Sequence, residues 1–214
     1  MFGLCYNVNM GNTVGSRELI AFTARKKQKL WIQPRQLDIL AGSILGDAYV
    51  APLGKIQIEH SIKQHEYVEW KYQELATISY PSPPVALRHV CRKSGQTYDS
   101  LRFWTRQFFR SLRKRFYEGK QKIFPVDLHI TPLILAVWYM DDGHYEKKKN
   151  RCILATDCFD LNSLKRISRS FQKDLGINPT IRKSGKMAFN SLDCNKFRSV
   201  IAPHIIPAMS YKIR

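Results

Sequence analysis

Leu135-Ala136-Val137-Trp138-Tyr139-Met140-Asp141-Asp142-Gly143 reads as the packed end of a helix that runs into two acids and a glycine. Acids at a helix C-terminus face the negative end of the macrodipole, which costs from a few tenths to about 1 kcal/mol each. Gly143 is a natural residue just past a helix end, so the helix is expected to stop there. Alone, the stretch is a core helix with acids at its tip. A second stretch, Leu40-Ala41-Gly42-Ser43-Ile44-Leu45-Gly46-Asp47-Ala48, also ends on an acid. Two such helices in one chain look like a device for setting two carboxylates, Asp47 and Asp142, side by side.

The 214 residues are enough for one or two compact domains. With 44% hydrophobic and 12% aromatic residues the chain is a folded protein, not a basic tail. Its 35 Lys+Arg against 17 Asp+Glu give a net charge of +18. That charge points first to nucleic acid, because neutralised phosphates release counterions. A ribosomal or membrane-surface protein shares it. No apolar run approaches the roughly 18–20 residues of a membrane span. Met1 to Gly15 lacks the basic start and long apolar core of a secretory signal. Five cysteines with no C-x-x-C pair are expected as reduced thiols, mostly small core residues. The six histidines show no zinc spacing, and His60 and His65 are expected as scattered surface residues.

Residues 1–33 read as an extension with a basic cluster at Arg25, Lys26, Lys27 and Lys29. Pro34 lies near the start of a helix carrying Leu37, Leu40, Ile44 and Leu45 to Asp47. Gly42 and Gly46 share one face of it, where a partner backbone can approach. Lys55-Ile56-Gln57-Ile58-Glu59-His60 alternates as a half-buried strand does, with Lys55, Gln57 and Glu59 outward. Residues 64–78 return to helical spacing through Val68, Tyr72 and Leu75. Strands follow at about 87–93 and 97–106, turning at Ser94-Gly95, then a helix at 107–118 with Gly119 as its stop.

The order then restarts. Thr131-Pro132 opens the second acid-ended helix; a strand is expected near 151–156 and a helix from 161 to 175, stopped by Gly176. A hairpin follows, Thr180–Lys183 with Lys186–Asn190 about Ser184-Gly185, and a last helix near 194–202. Arg92-Lys93-Ser94-Gly95 recurs as Arg182-Lys183-Ser184-Gly185, 90 residues on, and Asp47 and Asp142 are 95 apart. The residues thus write an acid-ended helix, strand, helix, two strands and helix twice. A duplicated unit usually folds with pseudo-twofold symmetry, which suits the approximate dyad of duplex DNA.

Leu40–Ala48 and Leu135–Gly143 resemble the paired signature helices of the LAGLIDADG homing endonucleases, in the single-chain, two-motif form. The resemblance covers roughly residues 35–214; Pro179-Thr180-Ile181-Arg182 and the ending Ile206-Pro207-Ala208-Met209-Ser210-Tyr211-Lys212 add to it, the latter similar to yeast mitochondrial intron endonucleases. It implies an α+β fold of two αββαββα-like repeats, 34–125 and 126–214, with pseudo-twofold symmetry. Two antiparallel sheets would form a saddle along DNA. It also implies that Asp47 and Asp142 hold a divalent metal, normally Mg²⁺ with Mn²⁺ or Ca²⁺ as substitutes, with the carbonyls of Gly46 and Asp141 as further ligands. Lys122 and Lys212, 75 and 70 residues after the acids, would stabilise charge at the scissile phosphates.

Lys55, Gln57, Arg102, Arg182, Lys186 and Asn190 are the expected base readers. Ser43 either bonds back to a helix carbonyl or faces the partner helix. The resemblance further implies a monomer, a long, nearly asymmetric double-stranded DNA target, no membrane, and an organelle location as an intron-encoded protein. Intron RNA is the alternative partner, for a maturase or a non-cleaving binding protein of the same fold.

Overall fold

The computed structural model describes residues 19–23, 28–92 and 94–214. Arg25, Lys26, Lys27, Lys93, Cys5 and the stretch Met1–Gly15 lie outside the described residues. The described chain opens with an antiparallel hairpin, β1 (Ile20–Thr23) and β2 (Lys29–Ile32). The first repeat runs α1 (Pro34–Leu45), β3 (Tyr49–Val50), β4 (Ile56–Ser61), α2 (His65–Glu74), β5 (Val85–Val90), β6 (Thr97–Trp104) and α3 (Arg110–Phe116). A small hairpin follows, β7 (Tyr117–Glu118) and β8 (Gln121–Lys122). The second repeat runs α4 (Pro132–Asp142), β9 (Gly143–Glu146), β10 (Arg151–Leu154), α5 (Leu161–Ser170), β11 (Thr180–Ile181), β12 (Met187–Phe189) and α6 (Ser191–Ile201). A 3-10 turn, Pro207–Lys212, closes the chain.

Each repeat is therefore αββαββα, and the fold is the duplicated α+β arrangement. Periodicity alone yields one strand fewer in each repeat. β3 has two residues, and His144-Tyr145-Glu146 in β9 carries no apolar alternation, so neither gives a period-2 signal. The sheets are antiparallel, ordered β3-β4-β6-β5 and β11-β12-β10-β9. The expected helix at 107–118 is shorter. Tyr117 and Glu118 leave it to pair with Lys122 and Gln121, and Gly119 (φ +57°) sits in that hairpin's turn.

α1 and α4 pack against each other at the centre. Every residue from Leu133 to Met140 is buried, as a helix enclosed on all sides requires. The close approach predicted at the two glycines of α1 is present. A Cβ on Gly42 would lie 2.6 Å from the Ile134 carbonyl oxygen and 2.8 Å from Val137 Cβ. One on Gly46 would lie 2.6 Å from Asp141 Cβ. At the far end of the pair the Thr131 hydroxyl accepts from the Ile134 N–H (3.1 Å), capping α4, and donates to Asp38 of α1 (2.9 Å).

α4 stops at Gly143 as expected, in extended conformation (φ −84°); what demands glycine there is Tyr139, whose ring would lie 2.2 Å from a Cβ. Ser43 is fully buried among the helices, and its hydroxyl has no hydrogen-bond partner. Cys152 of β10 and Cys194 of α6 form a disulfide, so the all-reduced reading fails for this pair. Their Cα atoms stand 5.3 Å apart, a proximity created by folding across 42 residues that spacing does not reveal.

Candidate active site

α1 ends at Leu45 and α4 at Asp142, so Asp47 and Asp142 sit at neighbouring helix ends. The Asp47 side chain is 48% exposed, and His60 Nδ1 stands 3.4 Å from its Oδ2. Burial by itself would raise the Asp47 carboxyl, but the His60 contact and the charges of His60, Lys71 and Lys122 leave it below its ordinary value. Asp142 goes the other way. Burial, then the charges of Asp47 and Asp141, push it up to about 7 against the pull of Lys122 and Lys212.

Both expected lysines arrive here. Lys122, carried by the β7–β8 hairpin, places its Nζ on the Gly46 carbonyl. Lys212 places its Nζ 2.9 Å from the Asp141 carbonyl, and its own carbonyl accepts the Tyr139 hydroxyl at 3.1 Å. Each helix end thus has the same local pattern: a lysine ammonium on the carbonyl just before the acid. Burial holds both lysines below the usual lysine range despite the acids around them.

The Asp141 carboxylate turns inward. Its side chain is wholly buried, as is that of Lys71. Oδ1 accepts from Lys71 Nζ (2.8 Å) and the Tyr67 hydroxyl (2.7 Å), and Oδ2 from the Asp47 N–H (3.2 Å). Lys71 Nζ also lies 3.1 Å from His60 Nε2. Asp47, His60 and Asp141 each offer an oxygen or nitrogen within 4.8 Å of the others. Asp142 is not one of these three groups, and Asp141 is already paired with Lys71.

Sequence reasoning missed His60, Tyr67 and Lys71. His60 is 6% exposed, not a scattered surface residue. Its signal was available: it shares the inward side of β4 with Ile56 and Ile58. Lys71 stands one helical turn from both Tyr67 and Leu75, on the buried stripe of α2, where a lysine needs a partner.

The expected base readers separate into two groups. Gln57 and Arg102 lie on the outward side of the first sheet. Lys55 falls just before β4, with its ammonium 5.0 Å over the Tyr80 ring. In the second repeat Arg182 and Lys186 lie in the β11–β12 turn, closed by Arg182 N–H to the Lys186 carbonyl (2.9 Å). Asn190 caps α6, accepting from the Asp193 N–H and donating to Asp193 Oδ2, both at 2.9 Å.

A homing endonuclease, I-WcaI bound to its DNA recognition sequence, matches this fold with a TM-score of 0.76 at 27% identity, over 84% of this chain and 86% of that one. Cytochrome b mRNA maturase bI2 of Debaryomyces hansenii is 27% identical over 85% of this chain and 74% of its own length. Protein RecA of Mycobacterium gastri is 26% identical over 94% of this chain and 50% of its own, so the chain spans about half the length of that relative. The family model for LAGLIDADG DNA endonucleases matches residues 37–197, from within the first central helix to the last helix of the second repeat. The chain belongs to the LAGLIDADG DNA endonuclease family.

Proposed function

We propose that the protein is a site-specific double-strand DNA endonuclease of intron-homing type. The observation that carries this reading is the pair of helix-end acids, Asp47 and Asp142, each preceded by a carbonyl that holds a lysine ammonium. The acids fit a divalent cation such as Mg²⁺: they are hard oxygen donors, and after burial it is the charges of Asp47 and Asp141 that lift Asp142 to about 7, negative charge that a cation would relieve. Bound there, such a cation would supply Lewis acidity and activation of water.

The chain's own groups do the rest. His60 holds the Asp47 carboxylate, and Asp141 holds the Asp47 backbone through its N–H. Lys122 and Lys212 bring positive charge to the two strands' phosphates, where it stabilises charge developing in the transition state. The repeats 34–125 and 126–214 act as two half-site units of a monomer. Their sheets form a saddle along a long, nearly asymmetric duplex, and the +18 net charge supports phosphate binding. Among the described residues no helix is long and apolar enough to cross a membrane. The maturase relatives support an organelle setting, and they also favour a second reading, in which the fold binds intron RNA.

A randomised duplex library incubated with the full chain and Mg²⁺ tests the proposal. Wild-type protein is expected to cut one family of sequences, while Asp47→Asn and Asp142→Asn each abolish double-strand cleavage and still bind the selected site. Double-strand cleavage that survives either change overturns the assignment. Absence of duplex cleavage, with tight binding of intron RNA, favours the maturase reading instead.

A further inference from the structure

Glu59 is the anomaly on the face where Gln57 and Arg102 stand. A face that meets phosphates is expected to be neutral or basic, yet a carboxylate sits at its centre. Register fixes its surroundings. Glu59 lies opposite Arg102, which in turn lies opposite Val85, so one cross-strand row spans β4, β6 and β5.

Four donors from the three strands converge on the one carboxylate. Oε1 accepts from the Ser100 hydroxyl at 2.5 Å and lies 2.8 Å from His89 Nε2. Oε2 accepts from Arg102 Nε at 2.6 Å and Gln57 Nε2 at 2.8 Å. Burial would raise the carboxyl, but the Ser100 and Arg102 hydrogen bonds, the Arg102 charge and the His89 contact hold it below its ordinary value. The carboxylate is 19% exposed and Arg102 28%, so the cluster is accessible yet laterally packed. His89 is itself stacked on Tyr98 at 4.9 Å.

Both Glu59 oxygens are thus committed within the sheet, which removes Glu59 as a base reader and gives it a different task. Arg102 bonds Glu59 through Nε alone. Both terminal nitrogens of its planar fork are left without a protein acceptor among the described residues. That is the half of a guanidinium that pairs with O6 and N7 of guanine in the major groove. An arginine on a flexible stem spends rotamer freedom to reach such geometry; one fixed at Nε is pre-organised for it.

We propose that Glu59 is a specificity-determining positioning residue that fixes Arg102 to read a guanine in the half-site under the first repeat. This rests on the DNA-endonuclease reading above. On the second repeat the expected readers are placed differently: Arg182 and Lys186 occupy a turn and Asn190 caps a helix.

Library selection by cleavage with the full chain tests it, comparing wild type, Glu59→Gln and Arg102→Ala. Arg102→Ala is expected to erase a guanine preference at one position. Glu59→Gln, of the same shape but unable to accept all four donors, is expected to weaken preference at that same position by about tenfold. The other positions and the salt slope of binding stay as in wild type. A Glu59→Gln profile identical to wild type, or one lowered alike for every sequence, overturns the proposal. Should Glu59→Gln fail to fold, Glu59→Asp serves: it keeps the charge but withdraws the carboxylate from Arg102 Nε by one methylene, and must weaken the same guanine preference. If wild type cuts no duplex, the endonuclease reading itself falls, a result distinct from intact cleavage with an unchanged profile.

Discussion

Asp47 and Asp142 hold matching places at the ends of α1 and α4, yet their surroundings are opposite in sign. Asp47 is held below the ordinary carboxyl value by His60, Lys71 and Lys122; Asp142 is lifted to about 7 by burial and by Asp47 and Asp141. The difference begins one residue earlier. Near a twofold axis, equivalent positions of two helices meet each other, so two large side chains collide and two glycines leave a gap. Here Gly42 faces Val137 and Gly46 faces Asp141, which resolves both contacts with one small and one large partner. Glycine at position 46 makes room for an acid at 141, and that acid needs Lys71, Tyr67 and His60 of the first repeat. Close packing at the axis thus makes the active site asymmetric.

The largest test of this comparison removes its buried cation. Lys71→Met leaves the enclosed Asp141 carboxyl without its cationic partner, and is expected to destabilise the fold by about 3–5 kcal/mol. Lys71→Met with Asp141→Asn takes both charges away and should recover most of that loss. Urea denaturation of the four proteins measures the coupling as a double-mutant cycle. Additive losses would show that Lys71 and Asp141 are neighbours without being partners.

The next test sets the two acids against each other in chelator. Asp142 carries a raised pKa, so its contribution to stability is full below the ordinary carboxyl value of 3.8 and is lost as pH rises through about 7. Asp142→Asn removes that loss. At pH 8 a gain on the order of 1–2 kcal/mol is expected, allowing for screening at a half-open site. The gain shrinks as pH falls toward 3.8. Asp47→Asn should give none, because that carboxyl is already favoured in its ionised form. Thermal melts across pH decide it; equal gains from both substitutions would erase the asymmetry.

Much of this was legible in the sequence because it rests on local chemistry. Two helices ending on acids, Gly42 and Gly46 on one face, and the recurring Arg-Lys-Ser-Gly turn are visible without coordinates. The two lysines came from the family resemblance, and both lie at the carbonyls beside the acids. What stayed hidden depends on contacts far apart in the chain. Lys71 reads as one more cation among 35 until Asp141 is seen against it. His60 was misread although its strand alternation placed it inward, because its partners Asp47 and Lys71 belong to other elements. Asn190 looked like the end of a strand and is a helix cap; one residue of register separates the two roles.

The smallest test lies at the helix interface itself. Ser43 is fully buried with its hydroxyl unpartnered, so it carries the desolvation penalty of a polar group without the hydrogen bond that would offset it. Its place in the last turn of α1 adds a weaker helix propensity than alanine's. Ser43→Ala deletes one oxygen, too little to open a cavity of consequence, and is expected to stabilise the chain by about 1 kcal/mol. In a protein of this size that is a rise in melting temperature of about 2–4 °C. The Ser43 hydroxyl hydrogen-bonds neither acid nor lysine, so the gain should be the same in chelator and in Mg²⁺ and should leave the Asp142 pH profile unmoved. A stability loss would mean that the hydroxyl has a partner in solution, and a shifted pH profile would mean that packing at the axis and charge at the helix ends are coupled.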